Sequence, residues 1–143
     1  MRQVKRSAIV PYAAEAMFDL VADIESYPQF LPGCSGAQIR SREGNQVVAT
    51  LSLAQGPLNT DFTTRNELTR PNGITMALEN GPFSDLHGAW EFVPLGSAGC
   101  RVTLDMQFAF PNRIADLLLG PPFEAICNHL VDAFVKRARA LKV

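Results

Sequence analysis

The sequence predicts an α+β protein in which a curved antiparallel sheet of six or seven strands wraps around one long C-terminal helix. Three observations carry this expectation. Through most of residues 47–110, apolar side chains fall at every second position, the period of strands with one buried face. Beyond Phe110 the spacing changes to three and four, the period of a helix. Turn residues separate the alternating runs at Glu43-Gly44-Asn45, Gln55-Gly56-Pro57, Pro71-Asn72-Gly73, Asn80-Gly81-Pro82 and residues 96–99. Such short connections join neighbouring strands into a meander covered on one side.

Residues 3–10 read as the first strand, ending at Pro11. An amphipathic helix over residues 13–22 follows, with Met17, Phe18, Val21 and Ile24 near one face. The chain then turns a corner bearing Tyr27, Pro28, Phe30, Leu31 and Pro32. Each proline removes a backbone donor and biases the preceding residue away from α geometry, so this helix is not expected to continue. The rings on so stiff a corner either cap the core or gate a cavity.

Five strands come next. Val47, Ala49, Leu51 and Leu53 alternate in one, and Leu58, Phe62 and Leu68 share a parity in another. Ile74, Met76 and Leu78 follow, then Leu86, Gly88, Trp90 and Phe92. The cleanest alternation is the last: Cys100, Val102, Leu104, Met106, Phe108 and Phe110 oppose Arg101, Thr103, Asp105 and Gln107.

Asn112 is suited to cap a short helix carrying Ile114, Leu117 and Leu118. Gly120-Pro121-Pro122 is expected to break it, with Pro122 opening a second helix over residues 123–141. On that helix Phe123, Ile126, Cys127, Leu130, Val131, Phe134, Ala138 and Leu141 form a broad apolar stripe.

A sheet of this many strands is roughly 30 Å wide, whereas a helix with its side chains is about 10–12 Å across. The sheet must therefore curl, and gaps remain beside the helix. Phe62, Met76, Trp90, Phe108, Phe123 and Phe134 could plug such gaps or line a cavity; the residues alone favour plugging.

The chain has 143 residues, 47% of them hydrophobic, and a formal net charge of −1. That composition fits one globular unit over residues 1–143 and argues against disorder or a generally basic DNA binder. Repeats and low-complexity tracts are absent. The longest apolar runs are too short to span a bilayer, and no signal-type block follows residues 1–10, so a cytoplasmic protein is expected. Cys34, Cys100 and Cys127 read as reduced, buried thiols.

The residues do not suggest catalysis or a metal site. His87, beside Asp85 and Glu91 in parity, and His129, near Asp132, are the only histidines, and both read as surface residues. Phosphate-binding loops, dinucleotide fingerprints and nucleophile elbows are missing. Cys34 follows a Pro-Gly turn, but without an identifiable base it reads as structural rather than nucleophilic. Lys136, Arg137, Arg139 and Lys142 crowd the end of the last helix, where cations complement the helix dipole. With Lys5, Arg6 and Arg40 they could also touch RNA phosphates.

Several motifs carry a family likeness. Val10-Pro11-Tyr12, the helix with Glu15, Met17, Leu20, Val21 and Asp23, and residues 27–34 (Tyr-Pro-Gln-Phe-Leu-Pro-Gly-Cys) resemble the N-terminal signature of the bacterial ribosome association toxin family. That family is related to mitochondrial coenzyme Q-binding proteins. Phe62-Thr-Thr-Arg-Asn66, Gly81-Pro82-Phe83, Leu86 with Gly88, Trp90, Phe92 and Pro94, Cys100-Arg101-Val102, Ala133-Phe134 and Arg137-Ala138 extend the likeness along the chain. Pro121-Pro122 departs from it.

The resemblance implies the helix-grip (START-like) fold of lipid-transfer and polyketide-cyclase-like domains. It also implies binding more than chemistry. The quinone-binding branch implies bound ubiquinone or a related isoprenoid lipid, in support of respiration and quinone biosynthesis. The toxin branch implies binding to the large ribosomal subunit and a block on subunit joining. Candidate cavity residues are Tyr27, Phe30, Leu31, Phe62, Arg65, Met76, Trp90, Phe108, Phe123, Leu130 and Phe134, with Arg65 and Tyr27 as candidates for orienting a head group. Candidate ribosome contacts are Lys136, Arg137, Arg139 and Lys142. Neither role needs a catalytic residue or a required cofactor.

Overall fold

The computed structural model describes residues 1–143. The order is β1 (Arg2–Val10), α1 (Ala14–Ala22), a 3-10 helix (Ile24–Gln29), β2 (Cys34–Glu43), β3 (Gln46–Gln55), β4 (Leu58–Thr69), β5 (Gly73–Asn80), β6 (Asp85–Pro94), β7 (Cys100–Ala109) and α2 (Arg113–Leu141). The strands form one sheet in the order β1-β7-β6-β5-β4-β3-β2. Every pairing is antiparallel. The expected meander against a long helix is present, with seven strands.

The period-two reading works because each inner strand buries one face. In β7, Cys100, Val102, Leu104 and Phe108 are fully buried, while Arg101 between them is exposed. The stripe on α2 buries Phe123, Ile126, Cys127, Val131, Phe134 and Ala138 against the same 28-residue core. β2 lacks a clear alternation. It is an edge strand, exposed from Arg40 to Glu43, and its register with β3 shifts twice.

The corner after α1 is more regular than its prolines imply. Ile24–Gln29 winds as a 3-10 helix with Pro28 inside it. Leu31 N–H donates to the Tyr27 carbonyl at 2.9 Å, and the Tyr27 hydroxyl donates to the carbonyl of Val21.

The break expected at Gly120-Pro121-Pro122 does not occur. α2 runs unbroken from Arg113, capped by Asn112, whose Oδ1 accepts from the N–H of Ala115 at 2.9 Å. The prolines remove the donors that would reach the carbonyls of Leu117 and Leu118. These two residues are 65% and 55% exposed, so water can serve the freed carbonyls.

Arg2 bridges the weak point from the neighbouring strand. Its Nε donates to Asp116 Oδ1 at 2.9 Å, before the prolines, and its Nη1 lies 3.7 Å from Glu124 Oε1, after them. The guanidinium lies across Gly120, where a Cβ would come within 2.4 Å of Arg2 Nε. Ile114, Leu117 and Leu118 on this first stretch face outward rather than into the core.

The hydrogen bond from Arg2 holds the Asp116 carboxyl below its usual range, outweighing a smaller opposing effect of burial. A depressed carboxylate stabilises the fold fully above its ordinary value, and that contribution fades as pH falls through the depressed one. Thermal melts should therefore show Asp116→Asn less stable than the parent at neutral pH, with the gap closing in strong acid. A gap that does not change with pH would show that the clamp carries no charge-dependent stability.

Candidate functional site

Two groups of aromatic rings hold α2 against the sheet. Phe123, near the middle of the helix, packs on Phe108 at 4.7 Å, Phe83 at 4.8 Å and Phe62 at 5.9 Å between ring centroids. Phe134 packs on Phe30 at 5.2 Å, and on Tyr27 and Trp90 at 5.3 Å each. Eleven residues of helix separate the groups by about 16 Å. Between them α2 presents Ile126, Cys127 and Leu130, and there the sheet and helix do not close completely.

The result is an apolar cavity of about 80 Å³, with 17 of its 20 lining residues hydrophobic. It exceeds the roughly 10–15 Å³ needed for one water, yet it is far below the ~300–1,000 Å³ of drug-sized ligand pockets. The expected plugging is therefore largely realised, but not completely. Tyr27, Leu31 and Pro32 of the corner form part of the wall. Beside them Gly33 has φ +83, and a Cβ there would meet Gln55 Oε1 at 2.9 Å and Ile126 Cδ1 at 3.0 Å. Only glycine allows both that backbone turn and that close approach.

Of the candidate cavity residues, Tyr27, Leu31, Phe62, Met76, Trp90, Phe123, Leu130 and Phe134 line this space. Three others do not. Phe108 is fully buried behind the wall, against Phe123. Phe30 turns to an outer groove, where the Arg137 guanidinium lies 5.0 Å from its ring centroid. Arg65 points to the opposite face of the sheet, because it falls on the exposed parity of β4. There it bonds Glu79 at 2.5 Å and Gln46 at 2.7 Å, so it cannot orient a head group inside. Tyr27 cannot donate to one either, since its proton is engaged by the Val21 carbonyl. Burial also pushes this phenol well above its ordinary range.

The polar residues that do reach the cavity are Thr64 and Asn66. The signal for them lies in β4 itself: they share the even parity of Leu58, Phe62 and Leu68 and so must face inward. Cys34 and Cys127 also line the space. Burial raises both thiols, Cys127 to about 12, so they stay protonated at neutral pH. Cys34 Sγ donates to the carbonyl of Gly36 at 3.4 Å. The charged residues lie elsewhere, and the three-residue His, Cys, Asp or Glu groupings that could hold a metal ion are absent.

His87 pairs on the surface with Asp85 at 3.2 Å, and His129 is an exposed residue bonded to the Ala125 carbonyl at 2.7 Å. The cationic candidates divide. Lys136 and Arg137 line the outer groove, of about 360 Å³, together with Phe30 and His129. Arg137 also donates to Gln29 Oε1 at 2.9 Å, which ties the corner to α2. Arg139 and Lys142 are exposed near the helix end. Arg40 bonds Thr50 on β2–β3, at the opposite edge of the sheet from Lys5 and Arg6, so these seven cations do not form one surface.

A curved sheet gripping a long helix over an apolar cavity defines the START-like class. Residues 10–135 match the family model described as polyketide cyclase / dehydrase and lipid transport. The chain belongs to that family, in the branch that holds the ribosome association toxins. It is 46% identical over 138 residues to the ribosome association toxin RatA of Pseudomonas aeruginosa, covering 96% of each chain. It is 25% identical to the mitochondrial coenzyme Q-binding protein of Drosophila melanogaster, covering 96% of this chain and 59% of that one.

Among solved structures, a START superfamily protein from Mycobacterium smegmatis aligns with TM-score 0.77 and 25% identity, over 97% of this chain and 98% of that one. The Zhui aromatase/cyclase of Streptomyces aligns with TM-score 0.85 and 19% identity, over 96% and 93%, which is a likeness of fold alone. The fold is thus shared by proteins named as enzymes and by proteins named for binding.

Truncating either aromatic anchor should be costly. Phe123→Ala and Phe134→Ala are each expected to destabilise the fold by about 3–5 kcal/mol, the usual cost of removing a buried ring. Urea unfolding followed by circular dichroism measures this. A loss under about 1 kcal/mol for either would mean that the ring is not an anchor.

Proposed function

We propose that this chain is a binding protein, and that its cavity takes up a neutral, largely apolar molecule of the isoprenoid quinone class. The observation that carries this reading is the apolar cavity between the two aromatic groups. Apolar walls supply affinity at about 25 cal/mol per Å² of apolar surface buried. The absence of a charged acid–base pair on the wall favours binding over catalysis. The relative named for coenzyme Q binding supports the same ligand class. The cavity, about 80 Å³, is smaller than the ~150 Å³ that holds a benzene ring, so a quinone ring enters only if the wall gives way, and an isoprenoid tail must leave by the mouth.

Titration with a short-chain ubiquinone, followed by the fluorescence of Trp90 and by amide chemical shifts, tests this. Saturable quenching with shifts at Met76, Leu130 and Phe134 is expected. Filling the space with Met76→Trp should weaken binding on the order of tenfold, the scale of an overpacking penalty. Shifts confined to the outer surface would end the cavity reading.

A second reading has its own support, from the 46% identical relative named as a ribosome association toxin. In it, the chain associates with the large ribosomal subunit in the cytoplasm and blocks joining of the small one. The cationic end of α2 offers phosphate contacts. Lys136, Arg139 and Lys142 are the residues to reverse in charge, because Arg137 also holds Gln29 and Phe30. Co-sedimentation with isolated subunits should show retention by the large subunit only. It should weaken with salt, and the salt dependence should flatten by about one contact per reversed charge. Equal recovery with both subunits, or none with either, would remove this role and leave quinone binding in place.

A further inference from the structure

The cavity wall contains one polar pair whose arrangement is unexplained by the fold alone. Thr64 and Asn66 are 8% and 5% exposed and lie on the inward face of β4. The Thr64 hydroxyl donates to Asn66 Oδ1 at 2.9 Å. That bond occupies the oxygen end of the amide and turns its nitrogen away. Asn66 Nδ2 donates to no protein acceptor, yet no buried side-chain nitrogen or oxygen is sealed off without a partner. The amide nitrogen therefore opens onto accessible volume. Asn66 borders both the main cavity and a side space of about 20 Å³ shared with Tyr27, Met76 and Trp90.

We infer that Asn66 selects the ligand by donating from its side-chain amide to a neutral accepting oxygen, a carbonyl above all. This rests on the reading that the cavity holds an apolar ligand. The exclusion of anions follows from the wall, which holds no cation to meet a buried negative charge. The preference for an acceptor follows from the donors. The Tyr27 proton is committed to Val21, whereas the Asn66 amide and, on the same two spaces, the Trp90 indole carry N–H groups. A hydrocarbon of the same shape would leave the amide without its partner, and that loss is the source of discrimination.

The test uses the full chain, a short-chain ubiquinone labelled with carbon-13 at its ring carbonyls, and an alkylbenzene of matching tail as the apolar control. Infrared difference spectra should show one carbonyl band of bound quinone moved to lower frequency. Asn66→Leu should return that band to its unbonded position and weaken quinone binding about tenfold, as expected for one buried hydrogen bond. Binding of the alkylbenzene should be unchanged or tighter. Thr64→Val, which frees the amide to rotate, should reduce the band shift without abolishing it. If Asn66→Leu does not fold, the parent's carbonyl band and Thr64→Val still decide. An unshifted band in the parent, or equal quinone affinity in Asn66→Leu, overturns the selection by Asn66 and leaves the cavity reading standing. Failure of the parent to bind either probe overturns both.

Discussion

The structure depends on the spacing of two aromatic anchors along one helix. Phe123 and Phe134 each sit among rings contributed by the sheet and the loops, and each such pair adds about 0.5–1.5 kcal/mol beyond the area it buries. The charged clamps are weaker by comparison. Arg2 with Asp116 and Arg70 with Asp19 are partly or largely exposed, and exposed pairs contribute little. The rings therefore set how closely α2 approaches the sheet. With bulky rings at both contacts, the smaller side chains between them cannot reach across, and a cavity is the geometric consequence.

How much of this was legible in the sequence follows from burial. β7 could be read residue by residue because one of its faces is sealed and the other wet. β2 could not, because an edge strand exposed over half its length places no consistent demand on either parity. The unbroken α2 was illegible for a different reason. Local rules count the donors lost at Pro121 and Pro122, but the brace across them comes from Arg2, more than 100 residues away in the chain. Arg65, a candidate for orienting a head group, lies outside because the alternation of β4 puts it on the exposed parity. By the same parity Asn66 belongs inside.

Size constrains the chemistry more tightly than composition does. An apolar wall accepts many molecules, but a cavity of about 80 Å³ is below the ~150 Å³ that holds a benzene ring, so no ring-sized group enters without movement. Of the elements around it, the sheet is held by continuous ladders and α2 by its two anchors. The 3-10 corner has no such ladder and is held by its own short turns, by the bonds of Tyr27 to Val21 and Arg137 to Gln29, and by the packing of Tyr27 and Phe30 on Phe134. If a wall yields to a longer ligand, the least costly one to move is this corner, since low local bonding is where opening free energies are smallest.

That same corner is where the inside and the outside of the molecule meet. Phe134 touches Tyr27 and Trp90 on the cavity side and Phe30 on the groove side, and Phe30 in turn lies under Arg137. Close-packed rings do not deform continuously, so a shift of Phe134 requires Phe30 to move or its contact to open. The cavity and the cationic groove thus back onto one another across Phe134, Phe30 and Pro32, the last of which lines both. A displacement of Phe134 on the cavity side is thereby felt at the groove, because the residue that bounds one also supports the other.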